Sequence, residues 1–516
     1  MTSNTIADLL SAIFMPRLEV AKYEQEQQYR SYVNSLIQQR MAGGFCIFGG
    51  TIESLPIILA ELQELAKKSG LPGLLMSCDC EWGLPMRLHS GGTEFPHLMA
   101  LEQMGDQNGI RQVAGAIGIE MSTLGLHWNF APVADINSNP KNPIINIRAF
   151  SGDPQAVAEC AQSYFEGLEA SGIIATAKHF PGHGDTHIDS HRDLPSIERT
   201  AEEFEKTELL PFKKLAGRKI PSIMTGHIAA PKLADSLGAQ RDERNLPATI
   251  SPLLTKKLLR EKIGFQGVII TDSLEMYGLQ KVISDPAEIA VRAFAAGADM
   301  LLMPTDPVAA FNGVKKALES GRISPDILAE TIKRIAILRR KYLSDKTPKV
   351  SVQWLDHQEI AHTAARNSLS VTGTITKPLS PSSVIIISSG ADSEKMQRGM
   401  LEKFFSEEFP ETNILVLKNG ESEQKMIFGS DPLIITLHRP RGALTEEVAA
   451  GSVSRTSENI VGSLHRTKTK PLGIICLGDP YIAEVFAVTG PGFVIRSFSD
   501  SAPSIRMTLQ LLQEHI

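Results

Sequence analysis

Residues 172–195 read Gly-Ile-Ile-Ala-Thr-Ala-Lys-His-Phe-Pro-Gly-His-Gly-Asp-Thr-His-Ile-Asp-Ser-His-Arg-Asp-Leu-Pro, and this stretch decides how the fold is interpreted. Its first eight residues are mostly apolar and predict a short buried strand over 172–179. Pro181, Gly182 and Gly184 then exclude a helix, so the polar residues that follow must form a shaped loop. A buried strand that runs into a glycine-bent polar loop is typical of barrel enzymes, which carry catalytic groups on such loops.

The loop is rich in groups that titrate near neutral pH. Of the 13 histidines in the chain, four lie here, with three aspartates: His179, His183, His187, His191, Asp185, Asp189 and Asp193. Histidines four residues apart would share one face of a helix and could bind a metal, but the glycines and the proline prevent that helix. A metal-dependent hydrolase is therefore a weaker interpretation of the histidines than a catalytic loop. A third interpretation is a solvated surface loop that has no function.

Strands and helices alternate along the first 304 residues. Eight apolar runs predict strands at Ile13–Leu18, Gly44–Gly50, Gly73–Asp79, His127–Asp135, Gly172–His179, Ser222–Ile228, Gly267–Ser273 and Asp299–Pro304. Helix-period segments lie between them, at Val20–Arg40, Ile52–Ser69, Pro154–Ser171, Glu202–Ala216, Pro252–Glu261 and Pro286–Ala296. Eight such repeats over ~300 residues predict a (β/α)₈ TIM-like barrel of the α/β class. The alternative is an open doubly wound sheet, but no Gly-x-Gly-x-x-Gly turn follows the first strand.

Polar residues end five of these predicted strands: Asp79, Asp135, Lys178 with His179, His227 and Asp272. One such residue could be a helix cap, but capping explains five of them poorly. In a barrel the carboxyl ends of the strands meet at one mouth, so we expect these side chains to converge there.

The chain after residue 345 predicts a second domain. Residues 1–345 are assigned to the barrel, 346–375 to a linker and a helix, and 376–516 to a smaller C-terminal α/β sandwich. The sandwich strands are predicted at Ser383–Ser388, Asn413–Leu417, Leu433–Leu437, Leu472–Leu477 and Phe493–Ser497. Every residue with a predicted chemical role precedes residue 305.

Composition excludes several classes of partner. The chain has 516 residues, 42% hydrophobic residues and a net charge of −6, which gives no electrostatic footprint for nucleic acid or an anionic membrane. No stretch reaches the ~18 apolar residues of a membrane span, and no signal peptide is evident. Five cysteines without a metal-binding spacing predict reduced thiols and a cytoplasmic protein.

Taken alone, the residues suggest a carboxylate and a histidine that act on a polar, neutral substrate. Asp272 follows an apolar strand, which would place its carboxylate at a partly desolvated mouth and makes it the natural nucleophile. Asp189 and His191 lie two residues apart, so the carboxylate can fix the imidazole tautomer and support its charged form. No Gly-x-Ser-x-Gly elbow supports a serine hydrolase.

These residues also carry a resemblance to a known family. The segment 178–186, Lys-His-Phe-Pro-Gly-His-Gly-Asp-Thr, followed by Asp-Ser-His at 189–191, resembles the signature of family 3 glycoside hydrolases of the β-N-acetylglucosaminidase type. The similarity extends over about residues 5–345. Further matching segments are 131–135, 139–154, 224–227, 247–251 and 264–272.

The resemblance implies roles for eight residues. It implies Asp272 as nucleophile and His191, assisted by Asp189, as acid/base. It implies that Lys178, His179, Arg148, Asp79 and Arg87 hold the sugar. Where the family commonly has two glycines after the glutamate of the Asp-x-Glu stretch, this chain has Trp82 and Gly83. Trp82 either lines the leaving-group side or packs.

The implied activity is that of a retaining exo-β-N-acetylglucosaminidase without metal or cofactor, acting on a carbohydrate such as a muropeptide in cell-wall recycling. A histidine acid/base, neutral when it acts as base, would not repel an anion as a carboxylate would. A β-N-acetylglucosaminide phosphorylase is therefore the nearest alternative, and a β-glucosidase of the same family is another. A non-catalytic sugar-binding module is disfavoured because Asp272 and His191 are both present. The natural leaving group, the acceptor, the role of the second domain and the oligomeric state stay open.

Overall fold

The computed structural model describes residues 3–140, 142, 144–186, 194–343, 352–388, 395–418, 432–438 and 451–515. The chain forms two compact units. The first comprises Met1–Thr93, Ile110–Ser138 and Ser151–Trp354, and the second comprises Glu94–Gly109, Asn139–Phe150 and Leu355–Ile516. The predicted boundaries were contiguous, whereas the second unit takes two segments from within the predicted barrel range.

The first unit is built on short parallel strands. They are β1 (Phe14–Met15), β2 (Arg17–Glu19), β3 (Gly44–Phe48), β4 (Leu75–Cys78), β5 (Trp128–Asn129), β6 (Ile174–Phe180), β7 (Ser222–Thr225), β8 (Val268–Thr271) and β9 (Leu301–Leu302). Strands β2 to β8 form one parallel sheet in sequence order, β9 pairs with β1, and Met300 bridges to Ile270 of β8. Only Pro16 separates β1 from β2, so these pairings link the two edges of the sheet. The predicted TIM-like α/β architecture is confirmed.

Helices connect the strands of the first unit. Their bounds are Ser3–Leu10, Val20–Gln25, Gln27–Gln38, Ser54–Lys68, Gln107–Thr123, Pro154–Ala170, Ala201–Lys206, Leu209–Gly217, Pro231–Ser236, Leu253–Lys262, Tyr277–Gln280, Pro286–Ala296, Pro307–Glu319 and Pro325–Tyr342. Four of them begin with a proline directly after a capping residue whose side chain accepts a backbone N–H: Asp153, Asp285, Asp306 and Ser324. Such a pair satisfies a free donor and presets the first helical φ, which fixes where these helices start.

The second unit contains a mixed sheet. Its strands are β10 (Ser370–Gly373), β11 (Ser383–Ser388), β12 (Asn413–Lys418), β13 (Leu433–His438), β14 (Gly473–Gly478) and β15 (Phe493–Arg496), in the order β10-β15-β14-β13-β11-β12. Only β10 is antiparallel to its neighbour among these described strands. Its helices are Leu98–Gln103, Trp354–Ser368, Lys395–Glu408, Gly451–Thr467, Ile482–Ala487 and Ala502–Gln513.

Alternate residues of the second sheet belong to two separate apolar clusters. Ile386, for example, packs with Phe405, whereas Ile387 packs in the cluster that contains Phe486. Successive side chains of a strand point to opposite faces, so both faces of this sheet are covered by helices. The predicted α/β sandwich is confirmed.

Candidate active site

Asp79, directly after β4, lies in a buried network of four charged side chains. Lys178 Nζ donates to Asp79 Oδ1 at 2.8 Å and lies 2.7 Å from Glu81 Oε1, and Arg87 donates to Asp79 Oδ2. Burial alone would raise the pKa of Asp79, but the charges of Arg87 and Lys178 hold that pKa far below its usual range. The Arg87 guanidinium also stands over the ring of Phe48, 4.8 Å from its centroid. The negative charges of Asp79 and Glu81 are thus compensated by the positive charges of Arg87 and Lys178 in a buried site.

Hydrogen bonds from two neutral side chains hold the backbone of the loop after β4. Asn129 bonds both the N–H and the C=O of Cys80, at 3.0 and 3.1 Å. Tyr164 donates its hydroxyl to the Glu81 carbonyl at 2.9 Å. Trp82 is buried, with 7% of its surface exposed. The sequence 79–82 is therefore held in place before any ligand binds.

His179 lies at the end of β6 and is oriented by a buried carboxylate. Its Nδ1 lies 2.7 Å from Asp135 Oδ2, and Asp135 Oδ1 accepts the backbone N–H groups of His179 and His183 at 3.1 and 2.7 Å. Burial would raise the pKa of Asp135, but the charge and hydrogen bond of His179 keep it below its usual range. Because Nδ1 faces this carboxylate, Nε2 is the His179 atom that can serve a ligand.

Asp272 follows β8 and lies beside these groups. Its amide donates to the carbonyl of Thr225 at 2.9 Å, and its Oδ1 accepts the N–H of Ser273 at 2.7 Å. Burial would raise the pKa of Asp272, but the charges of His179 and His227, the Ser273 amide and Lys178 hold it below its usual range. The carboxylate is therefore ionised at neutral pH, as a nucleophile must be.

The structure brings five of the eight predicted site residues into this mouth: Asp79, Arg87, Lys178, His179 and Asp272. Arg148 lies in the second unit, in the 3₁₀ turn Asn146–Arg148, where its Nη1 donates to the Ile144 carbonyl at 3.2 Å. His191 and Asp189 lie outside the described residues. Asp185, another aspartate of the histidine-rich stretch, accepts a hydrogen bond from Arg199 Nε on its Oδ2 at 2.8 Å.

Sequence reasoning did not assign roles to Glu81, Asp135 or His227. In the sequence, Asp135 and His227 are distinguished only as polar residues of predicted strands, and Glu81 only as the glutamate of the Asp-x-Glu stretch. No periodicity in the sequence shows that Glu81 pairs with Lys178, because that contact joins the loop after β4 to strand β6, far apart in the chain. The available signal is the polar type of Asp135 and His227 in predicted strands, and the position of Glu81 two residues after one.

Among the described residues, no group of three His, Cys, Asp or Glu side chains is placed to hold a metal ion. No helix in the described ranges is long and apolar enough to cross a membrane.

Residues 5–338 match the model of the glycosyl hydrolase family 3 N-terminal domain. The chain belongs to glycosyl hydrolase family 3. This confirms, at the level of the family, the prediction of a glycoside hydrolase. The matched residues include Asp79, Arg87, Arg148, Lys178, His179, Asp189, His191 and Asp272.

Two proteins to which the chain is similar in sequence are named β-hexosaminidases. The chain is 35% identical over 333 residues to β-hexosaminidase A of Pseudoalteromonas piscicida, covering 60% of this chain and 55% of that protein. The chain thus spans about half the length of that relative. It is 31% identical over 324 residues to a β-hexosaminidase of Pseudomonas aeruginosa, covering 62% of this chain and 90% of the relative.

Solved structures share the fold over nearly the whole chain. A β-N-acetylglucosaminidase from Paenibacillus sp. superposes with a TM-score of 0.82 at 25% identity, covering 99% of this chain and 97% of that one. A β-glucoside phosphorylase superposes with a TM-score of 0.79 at 20% identity, covering 99% and 93%. At that lower identity the second likeness concerns the fold alone.

Proposed function

We propose that this family 3 member is a retaining exo-β-N-acetylglucosaminidase that removes terminal β-linked N-acetylglucosamine, with muropeptides or related glycans as substrates. The observation that carries the proposal is the ionised Asp272 beside Lys178 and His179 at the mouth of the barrel. The names of the relatives, β-hexosaminidases at 31–35% identity, favour N-acetylglucosamine over glucose as the sugar.

In the first step the Asp272 carboxylate attacks the anomeric carbon. A bond forms between an Asp272 oxygen and that carbon, while the bond to the leaving oxygen breaks and His191, as imidazolium, gives that oxygen a proton. Asp189 would stabilise the charged imidazole. These two assignments rest on the Asp-Ser-His sequence at 189–191.

In the second step neutral His191 takes a proton from water, whose oxygen attacks the anomeric carbon and releases Asp272. Two inversions give overall retention of the β configuration. Most glycosidases use two carboxylates. A neutral histidine in place of the second carboxylate would not repel phosphate, so phosphate could replace water as the acceptor. The polar groups for the sugar hydroxyls are Asp79, Arg87, Lys178 and His179, and Arg148 is assigned to the same task.

The variant His191→Ala separates the two steps. With an aryl N-acetylglucosaminide whose leaving group needs no proton, the first step should be little impaired and the second slowed by ~10²–10⁴-fold. A burst of phenol, an N-acetylglucosaminyl mass on the peptide that bears Asp272, and a β-configured sugar azide on addition of azide are expected. Asp272→Ala should give no burst.

Equal loss with activated and unactivated substrates in His191→Ala, without adduct or azide effect, would remove His191 from the acid/base role. The sugar is tested with matched aryl β-glucoside, whose turnover should be much slower. Repeating both assays with phosphate, and analysing the product for sugar 1-phosphate, decides between hydrolase and phosphorylase.

A further inference from the structure

His227 is a buried residue just after β7, and both of its ring nitrogens have partners. Its Nε2 lies 2.7 Å from the carbonyl oxygen of Ser273, and its Nδ1 lies 2.7 Å from Thr249 Oγ1. A carbonyl oxygen can only accept, so Nε2 carries a proton that it donates to Ser273. Only 1% of the His227 surface is exposed, which keeps water from competing for either bond.

The bond from His227 ends on the residue that follows the nucleophile. The N–H of Ser273 donates to Asp272 Oδ1 at 2.7 Å. Ser273 therefore accepts a hydrogen bond from His227 on its carbonyl oxygen and donates one to the Asp272 carboxylate from its amide. The amide of Asp272 itself donates to the carbonyl of Thr225 at 2.9 Å. Strand β7 and the loop after it therefore hold the nucleophile on both sides of its peptide unit.

Thr249 is itself placed rigidly. It lies in the 3₁₀ turn Ala248–Ile250, and the amide of Ala248 donates to the carbonyl of Ile228 at 2.9 Å. The carbonyl of Gly226 lies 3.2 Å from Thr249 Oγ1, so this hydroxyl can donate either to Nδ1 or to that carbonyl. When the hydroxyl donates to Nδ1, the imidazole is neutral; when it donates to the carbonyl, Nδ1 must itself carry a proton and donate it to Oγ1.

We propose that His227 is a positioning residue for Asp272: its Nε2–H holds the Ser273 peptide, whose amide aims the attacking carboxylate oxygen. This rests on the proposed function, in which Asp272 is the nucleophile. A buried core histidine without this role would affect stability alone. A positioning role predicts a slower attack, because a displacement of about 1 Å in reacting atoms can cost ~10²-fold in rate.

Three substitutions at one position test which nitrogen matters. The side-chain nitrogen of glutamine reaches about as far as Nε2, and that of asparagine about as far as Nδ1. The burst rate with an activated aryl N-acetylglucosaminide, which reports the first step, should fall ~10–10²-fold in His227→Phe and His227→Asn. It should stay within ~3-fold of wild type in His227→Gln. Inhibition by free N-acetylglucosamine should change little in all three, and azide should rescue none.

A matched control is His127→Phe. His127 accepts the Met76 N–H on Nδ1 at 3.2 Å and directly precedes β5, at the opposite end of the strands from the mouth. We expect this variant to lose stability without slowing the burst. Thr249→Val, which removes the hydroxyl against Nδ1, should slow the burst by a few-fold only. Should His227→Phe fail to fold, the Gln and Asn variants carry the same comparison.

The inference is overturned if His227→Gln is as slow as His227→Phe, or if His127→Phe slows the burst as much. Asp272→Asn separates this failure from that of the proposed function. If that variant keeps the burst, Asp272 is not the nucleophile and the proposed mechanism fails. If it loses the burst while His227→Phe keeps it, only the role of His227 fails.

Discussion

Lys178 stands between two carboxylates, which makes it the residue on which the buried charge balance depends. Only 3% of its side chain is exposed, and none of the Glu81 side chain is. An ion pair in such a place contributes little net stability, since desolvation of both charges offsets their attraction. Removing one partner of the pair is strongly destabilising, because the other charge then stays buried without its counter-ion.

A double-variant comparison tests this balance. Lys178→Met should destabilise the fold by ~3–5 kcal/mol, because Glu81 loses its ion-pair partner. Adding Glu81→Gln, which removes that charge, should recover part of the loss in free energy of unfolding. Both variants should bind the sugar poorly, so the recovery must be seen in denaturant unfolding and not in activity. A double variant no more stable than Lys178→Met would contradict this account.

His183 provides a prediction for the dependence of stability on pH. Burial lowers its pKa from 6.5 to about 4. As pH falls below 6.5, His183 of the unfolded chain binds a proton, whereas His183 of the folded chain stays neutral until pH reaches about 4. Stability contributed by neutral His183 is therefore lost as pH falls through this window, by at most ~1.4 kcal/mol per pH unit.

His183→Asn should remove that contribution, because asparagine does not titrate and can still bond the Thr186 hydroxyl, which lies 2.9 Å from Nδ1. The measurement is urea unfolding at several pH values between 4 and 6.5. A slope unchanged from wild type would mean that His183 protonates freely in the folded state.

At this scale the sequence indicates residue types but not partners. It placed Asp272 and the Lys178–His179 pair at strand ends, and the structure puts them there. It could not assign Glu81 to Lys178 or Asp135 to His179, because each pair joins distant segments whose register depends on the closed sheet. Contacts of that kind follow from packing, which no local pattern encodes.

The turn after β6 is an element that depends on close backbone approach. A Cβ atom added at Gly184 would overlap the carbonyl oxygen of Ile136, a backbone atom that cannot rotate out of the way. This turn leads from His183 into the part of the chain that carries the predicted acid/base. Glycine at 184 is thus a packing requirement.

Gly184→Ala should therefore destabilise the protein by ~1–3 kcal/mol or more and displace the turn, with a large loss of activity. Gly217→Ala is the matched control, because a Cβ atom there meets nothing within 4 Å, at the end of helix Leu209–Gly217. That change should be neutral or stabilise by up to ~1 kcal/mol. The measurements are thermal unfolding and turnover of both variants. Equal losses of stability and activity in Gly184→Ala and Gly217→Ala would refute the packing argument.

Prolines account for two of the strands that are shorter in the structure than the sequence predicts. The predicted strand Ile13–Leu18 is divided at Pro16 into β1 and β2, and the predicted strand His127–Asp135 is regular only over Trp128–Asn129. Pro132 lies in the second of these runs, and a proline cannot donate to a strand ladder. Strand β10 was missed because its residues, Ser-Val-Thr-Gly, are mostly exposed and lack an apolar pattern.

At the scale of the whole molecule, the second unit takes in a sugar-binding candidate. Within that unit Asn146 Nδ2 donates to Asp479 Oδ2 at 3.2 Å, and Ile147 packs with Met99, Ala100 and Phe498. These contacts flank Arg148 in the same turn. The C-terminal residues therefore support the turn that carries Arg148, the residue for which the resemblance implies sugar binding.

Phe498→Ala tests that support in the full chain. It should cost ~3–5 kcal/mol, as should Phe405→Ala, a fully buried core residue of the same unit whose cluster contains none of 139–150. Only Phe498→Ala should also raise KM for an aryl N-acetylglucosaminide, because only it loosens the turn that carries Arg148. A KM raised equally by both changes, or by neither, would contradict the link.

The division of the chain into discontinuous units also sets an order of events during synthesis. Residues 94–109 and 139–150 leave the ribosome long before residue 355, where the rest of their unit begins. At ~5–20 residues per second that interval lasts about 10–50 s. Throughout it Ile147 and Met99 lack the partner they pack against in the finished protein. We expect the nascent chain to be a chaperone client until the last helix of the second unit, Ala502–Gln513, has emerged.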